Sequence, residues 1–382
     1  MRIVYIYQSF ASKAGMERIL SDKMNYLVRH YGYEVTFITY EQGKHPLAFE
    51  LDKRINLLDL DVRFFPLYKL NPITRFFKKR KYLRLLISRL DIILNKINPD
   101  YVVLTTYDFD KFNSILTLPY RFVVESHICM SDIRQELRQN NFLRRYFAKT
   151  LDNNCFKYLN NATCMVCLTK DDKQEWEKRI QIPIHVIPNI VSKIPDNCSP
   201  YSERPNRILC VGRLTKQKGF DYLIKAWSII APKYPDWRID IFGNGVLENE
   251  IHNMIEEYNL SQSVKINKPT GRIYDEYDNS SIYILSSRYE GFALVLLEAM
   301  SCGVPCIVFD CPHGPSELIS NGENGVVVPL ANVEKMAEAI EWMINHKDAR
   351  VRMSEKARLS AKQYSAEIIM PQWVKLFDEY VG

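Results

Sequence analysis

The feature that most constrains this chain is a rhythm of short apolar strands and amphipathic helices that restarts half-way along. In the first half, residues 3–7, 34–39, 101–105, 122–125 and 165–168 read as strands rich in Val, Ile and aromatics. Helical patterns separate them, as in 16–30, where Ile19, Leu20, Met24, Leu27 and Val28 share one face. In the second half, 208–211, 239–242, 264–266, 282–285, 306–309 and 326–328 repeat the pattern. Between the halves, Ile187-Pro188-Asn189-Ile190-Val191 leads into a stretch rich in Pro, Asp, Asn and Ser that runs to Pro205 and reads as a linker. Strand–helix alternation requires parallel sheets with right-handed crossovers. The expected architecture is therefore α/β, with two Rossmann-like domains, 1–190 and 191–365, facing across a cleft. Ligands should sit at the carboxyl ends of the strands.

Composition removes several classes of protein. With 382 residues, 47% hydrophobic and 25% charged, the chain is neither disordered, collagen-like nor a disulfide scaffold. No apolar run approaches the roughly 18 residues that would cross a bilayer, and 1–7 reads as a first strand rather than a signal peptide. A cytoplasmic protein with reduced cysteines is expected. Cys164-Met165-Val166-Cys167 forms a C-x-x-C, but it sits in a strand-like run and no second pair completes a zinc set. The seven histidines are scattered, so no metal site is expected.

Charge is distributed unevenly. Residues 1–192 carry 30 Lys/Arg against 20 Asp/Glu, and the remainder carries 21 against 25, so a front half of +10 precedes a back half of −4. Nine of the basic residues lie between Arg63 and Arg89, where there is no Asp or Glu. There Arg75, Lys78, Lys79, Arg80, Lys81 and Arg84 interleave with Phe76, Phe77, Tyr82, Leu83, Leu85 and Leu86. Such a segment can be a packed helix with a solvated basic face, a helix lying on an anionic membrane, or a nucleic-acid contact. No nucleic-acid motif accompanies it, so the membrane surface is the expected partner and nucleic acid is not.

The chemistry concentrates between Ser281 and Gly325. Glu290 ends a loop after the 282–285 strand, and Glu298 lies in the helix that follows. Eight residues apart across a loop-to-helix junction, both carboxylates can face one pocket with helix N-terminal N–H groups between them. Free N–H groups suit an anion, and a carboxylate suits paired sugar hydroxyls. Val211-Gly212-Arg213-Leu214 followed by Lys216-Gln217-Lys218-Gly219 places a guanidinium fork and a mobile ammonium after an earlier strand. Such a pair can be a solvated loop after a strand or a site for an anion.

The span from Glu290 to Glu298 resembles the E-x-x-x-x-x-x-x-E signature of retaining glycosyltransferases of the GT-B fold, in the large family-four group. Phe242-Gly243-Asn244-Gly245, Ala299-Met300-Ser301-Cys302-Gly303-Val304-Pro305 and Asn321-Gly322-Glu323-Asn324-Gly325 match in order. In the first half, Gly15-Met16-Glu17-Arg18 and Glu125-Ser126-His127 fall at that family's glycine loop and cleft histidine, with Ala14 replacing a first glycine. The resemblance implies a final helix, 366–382, that returns to the first domain with Trp373 as an anchor. Pro371 is expected to break the helical pattern there.

The resemblance also implies roles. Arg213 and Lys218 would hold the donor diphosphate, with Gly212 beside them. Glu298 would bind the ribose hydroxyls and Glu290 the hydroxyls of the transferred sugar. Backbone N–H groups of Phe292, Ala293, Leu294 and Val295 would cradle sugar and phosphate, with Gly291 allowing close approach. Gly15 would face the donor phosphates or the acceptor from the first domain, and His127 would bond the sugar's primary hydroxyl or meet the surroundings of the leaving group. Asn267-Lys268-Pro269-Thr270 departs from the glycine many members carry after that strand, with Pro269 taken as donor-binding, and His313 is expected to serve loop structure with minor contact to donor or acceptor. No cofactor is implied beyond the nucleotide sugar itself. The implied activity is metal-independent transfer, with retention, of a hexose or N-acetylhexosamine from a nucleotide sugar, UDP-linked in preference to GDP-linked. The acceptor would be a saccharide or lipid-linked saccharide in bacterial surface-polysaccharide assembly, at the inner face of the cell membrane. The alternatives are a non-catalytic nucleotide- or saccharide-binding protein of the same fold, or another enzyme such as an epimerase.

Overall fold

The structure, a computed structural model, describes residues 1–106, 109–127, 158–312 and 314–380. The chain divides into two compact units: Met1–Ile190 together with Ala366–Gly382, and Val191–Ser365.

The first unit is built on seven parallel strands: β1 (Arg2–Tyr7), β2 (Glu34–Thr39), β3 (Asn56–Asp59), β4 (Tyr101–Thr105), β5 (Phe122–Ser126), β6 (Cys164–Cys167) and β7 (Ile184–Val186). Their order in the sheet is β3-β2-β1-β4-β5-β6-β7. Ile3 pairs with Val35 on one side and Tyr101 on the other, so β1 lies at the centre of the reversal in strand order. The central strands are continuous apolar runs because both faces of the sheet are covered. Strands β3 and β7 gave no sequence signal. Both are edge strands of three or four residues, and β3 is largely exposed, so neither needs an apolar run. Cys164 and Cys167 are both buried in β6, where burial pushes the Cys164 thiol up to about 12. Three residues apart on a strand, they point to opposite faces and cannot share a metal ion.

Two long helices flank this sheet. Helix α1 (Gly15–Tyr31) buries Ile19, Leu20, Met24, Leu27 and Val28 and stops at Gly32, whose φ of 64° is the left-handed conformation that ends helices. Helix α2 (Pro72–Ile97) starts with Pro72 at its first position and with Asn71 Oδ1 accepting from the Thr74 N–H at 2.9 Å. It is anchored through Leu86, Leu90 and Leu94, each fully buried and each contributing about 2 kcal/mol.

The C-terminal helix Ala366–Glu379 packs within this first unit, burying Ile369, Met370, Trp373, Leu376 and Phe377. Tyr101 Oη donates to the Phe377 carbonyl at 2.6 Å, and the Arg121 guanidinium donates to the Tyr380 carbonyl at 2.9 Å. Contrary to the sequence expectation, Pro371 does not break this helix. It stands six residues from the start, where its missing N–H and ring cost one interior hydrogen bond. The five buried apolar side chains outweigh that cost.

The second unit has six parallel strands: β8 (Arg207–Val211), β9 (Arg238–Phe242), β10 (Val264–Asn267), β11 (Ile282–Leu285), β12 (Cys306–Asp310) and β13 (Gly325–Pro329). Their order is β10-β9-β8-β11-β12-β13. Strand β8 therefore repeats the role of β1, and the reversal in order falls between β8 and β11. One face of the sheet packs on the helices Phe220–Ile230 and Val333–Asn345 through Trp227, Ile224, Met336 and Ile340. The other packs on the helix Leu294–Ser301 through Leu296, Leu297 and Met300. Among the described residues, no helix is long and apolar enough to cross a membrane.

Candidate active site

In an open parallel sheet, a crevice opens where the loops leaving two neighbouring strands turn to opposite faces. In the second unit that place lies beyond β8 and β11, and the loops there carry Gly212 to Gly219 and Ser286 to Ala293. Lys218 comes from the first loop and Glu290 from the second, 72 residues apart in sequence, yet Lys218 Nζ lies 2.6 Å from Glu290 Oε1. Both side chains are mostly buried. Ser287 Oγ donates to the same oxygen at 2.5 Å. Glu290 is thus held by an ammonium and a hydroxyl on one oxygen.

Backbone constraints explain why this loop can be built. Residues Lys216–Lys218 form a single tight turn that ends at Gly219, with φ of 63°. A Cβ at Gly219 would stand 2.1 Å from the Ser286 carbonyl oxygen, so the position admits only glycine. Gly219→Ala should therefore unseat Lys218 from Glu290. The expected outcome is a loss of donor binding larger than the loss of stability, checked by donor titration beside thermal unfolding. Gly243 packs just as closely, since a Cβ there would lie 1.9 Å from the Gly212 carbonyl oxygen.

The two loops are also bolted together. Arg288 makes a two-bond pair with Asp221 at 2.8 and 2.6 Å and lies 4.2 Å over the Tyr222 ring. Its pairing holds the Asp221 carboxyl below the usual range despite partial burial, which would raise it. The Gln217 carboxamide donates to the Tyr289 carbonyl at 3.2 Å. Arg213 is exposed, and its guanidinium reaches Gln217 Oε1 at 3.5 Å, which sets it beside the Glu290 loop.

Glu298 lies in the helix Leu294–Ser301, and Tyr277 Oη donates to its Oε2 at 3.0 Å. Burial pushes the Tyr277 hydroxyl well up, and the charge of Glu298 pushes it further, so Tyr277 remains a donor. The start of that helix has no side-chain cap. The Leu294 N–H bonds the Phe292 carbonyl at 2.9 Å. Phe292 packs against Tyr364, and Gly314 sits against Glu290 and Phe292, where a Cβ would be in ordinary contact. Gly291 and Val295 are half-buried and Ala293 is buried in the same turn. Pro269 is exposed beyond β10, an edge strand two places from β8. His313 lies outside the described residues.

Gly15 and His127 belong to the first unit. Gly15 is exposed and opens α1, whose N-terminus has no side-chain cap. His127 follows β5 directly and gives its Nε2 to Glu125 Oε2 at 2.8 Å. That same oxygen accepts from Lys23 Nζ at 2.6 Å, and Lys23 in turn lies 3.4 Å from the centre of the Trp373 ring. Burial would raise the Glu125 carboxyl, but Lys23 and His127 hold it down at about 2.

Sequence reasoning named the two glutamates, Arg213 and Lys218. It missed Ser287, Gln217, Arg288, Asp221 and Tyr277, the residues around them in the second unit, and Lys23, which holds Glu125 in the first. Only Lys23 carried a signal, as a lysine on the otherwise apolar side of α1. Among the described residues, no group of three or more His, Cys, Asp or Glu is placed to hold a metal ion.

Residues 14–193 match the family described as Glycosyltransferase Family 4, and residues 197–360 match Glycosyl transferases group 1. The chain belongs to the family-four glycosyltransferases. An uncharacterized glycosyltransferase of Haemophilus influenzae is 30% identical over 97% of this chain and 98% of its own. The amylovoran biosynthesis glycosyltransferase AmsD of Erwinia amylovora is 24% identical over 97% and 98%. Among solved structures, HepE of Anabaena in complex with UDP and glucose superposes with a TM-score of 0.76 at 16% identity, covering 99% of both chains. That likeness extends the assignment to the GT-B fold of two Rossmann-like domains. The glycosyltransferase thus carries its Lys218–Glu290 pair at the switch point of the second domain's sheet.

Proposed function

We propose that this glycosyltransferase transfers a hexose or N-acetylhexosamine, with retention and without a metal ion, from a UDP-linked donor to a saccharide or lipid-linked saccharide. The reaction would serve surface-polysaccharide assembly at the inner face of the cell membrane. The observation that carries the reading is the Lys218–Glu290 contact of 2.6 Å, with Arg213 on the Lys218 loop and Glu298 in the helix that follows the Glu290 loop.

The chemistry follows from those groups. As the sugar–phosphate bond breaks, charge grows on the diphosphate. Arg213 offers a planar fork of donors and Lys218 a mobile point charge to meet it. Glu298, oriented by Tyr277, can accept from two adjacent ribose hydroxyls. Glu290, fixed by Lys218 and Ser287, can accept from the hydroxyls of the sugar. His127 is assigned the sugar's primary hydroxyl, and Gly15 the donor phosphates. Pro269 is assigned the neighbourhood of the base. The acceptor would attack from the face the diphosphate leaves, with the diphosphate taking the proton.

A panel of nucleotide sugars, scored by thermal shift and by release of UDP or GDP, tests this directly. A UDP-sugar should raise the melting temperature and turn over. Arg213→Ala and Glu298→Ala should each weaken donor binding by about tenfold or more, the scale of a charge-assisted bond. Unchanged binding and turnover in both variants would defeat the enzyme reading and favour a binding protein of this fold. An inverted product anomer would defeat retention alone.

A further inference from the structure

Helix α2 is packed over only part of its length. Leu86, Leu90 and Leu94 are its buried residues, and no residue before Leu86 is buried. In that first half Ile73, Phe76 and Phe77 are 73%, 53% and 66% exposed, and Phe65 just before the helix is 60% exposed. At about 100° per residue, Ile73, Phe77, Lys81 and Arg84 fall on the side opposite the leucine stripe. Large apolar and basic side chains therefore share one solvent-facing surface. Lys78, Lys81 and Arg84 are exposed there. Phe76, in line with Leu94 but exposed, and Arg80 stand at its edge, the Arg80 guanidinium 4.7 Å over the Phe76 ring.

Single exposed apolar residues are ordinary, but a cluster rimmed by charge of one sign is not. A solvated helix face gains nothing from three large apolar side chains within five residues. Nucleic acid would be met by the charges but not by an isoleucine and a phenylalanine turned away from the core. The sign of the rim selects the partner, since residues 63–89 hold nine Lys/Arg and no Asp or Glu. A bilayer of anionic lipid offers both complements, phosphate at the surface and acyl chain just beneath it.

We propose that the N-terminal half of α2 docks on an anionic bilayer surface. Ile73 and Phe77, with Phe76 at the edge of the surface, enter the boundary between headgroups and acyl chains, and Lys78, Arg80, Lys81 and Arg84 around them meet lipid phosphates. The surface deepens the assignment of a membrane-associated acceptor but is read separately from transfer, because lipid binding needs neither donor nor turnover.

The test is co-sedimentation of the full chain with vesicles of phosphatidylcholine alone and of phosphatidylcholine mixed with phosphatidylglycerol. Binding is expected only to the anionic vesicles and should weaken as salt is added. The variant Lys78→Gln/Arg80→Gln/Lys81→Gln/Arg84→Gln should lose roughly 100- to 1000-fold in partitioning at low salt. Phe76→Ser/Phe77→Ser should bind more weakly while keeping its salt dependence, which separates insertion from charge. All the altered positions are exposed, so both variants should keep the circular dichroism of the parent. Equal binding to neutral vesicles, no binding by the parent, or variants that bind like the parent would each overturn the proposal. So would tighter binding to single-stranded RNA than to anionic vesicles at physiological salt. Loss of turnover with intact vesicle binding would instead count against the transferase reading.

Discussion

Lys218→Ala is expected to lower kcat/KM for the nucleotide-sugar donor by about 100- to 1000-fold, the range found when one preorganised donor to a developing negative charge is removed. Lys218 Nζ sits 2.6 Å from Glu290 and is held there by a turn that only Gly219 allows. Gly212 leaves room for its stem, which a Cβ at that position would crowd at 3.3 Å. The loss should appear mainly in kcat if the ammonium acts on the leaving diphosphate and mainly in KM if it only holds the ground state. Lys218→Arg should recover part of the activity, because the charge returns in a wider, planar shape. Stability should fall by a smaller amount, about 1–3 kcal/mol, since Ser287 still bonds the Glu290 oxygen that Lys218 leaves. Steady-state kinetics beside thermal unfolding separates the two effects. A folded Lys218→Ala variant that keeps full turnover would remove Lys218 from the mechanism.

The second large effect is expected in the first unit, where Lys23→Met should destabilise folding by about 3–5 kcal/mol. Lys23 and Glu125 are almost fully buried, and removing the ammonium leaves a buried carboxylate that, of its two described charge partners, keeps His127. The Lys23 side chain also covers the Trp373 ring of the C-terminal helix, so that contact is lost as well. The double variant Lys23→Met/Glu125→Gln should recover a large part of the loss, because the stranded charge is then gone. Denaturant unfolding of the three proteins checks both statements. The same carboxylate sets an acid limit. Glu125 holds its charge down to about pH 2 in the fold, against an ordinary value of 4.5. The stability it contributes is present above that ordinary value and is lost as pH falls towards 2. In Glu125→Gln that part of the acid response should be absent.

These two sites differ in how far they could be read from residues alone. Glu290 and Glu298 stand eight apart in one continuous segment, and that spacing already places one in a loop and one in a helix. The Lys218–Glu290 pair was legible as two motifs but not as a contact, because 72 residues separate its members. Tyr277 and Ser287 were not legible at all. A tyrosine in a short polar helix and a serine in a loop look like any others until the sheet sets them against a glutamate. Lys23 is the sharpest case. On the sequence it is one polar residue in an apolar stripe, and its partners come from β5 and from a helix 350 residues later.

The sequence by itself determined the α/β class, the number of sheets and most of the strands, because a period-2 or continuous apolar run is a local property of the chain. It determined as well that positive charge gathers between Arg63 and Arg89. It misjudged Pro371, whose effect depends on what the rest of the helix buries. It was silent on the edge strands β3 and β7, which take their order from a neighbour rather than from their own residues. Only the tertiary structure decided which oxygen of Glu290 meets Lys218, which hydroxyl orients Glu298, and which half of α2 is left uncovered. Those are distances and exposures between segments remote in sequence. They arise when the sheet closes the loops on one another, and no local pattern encodes them.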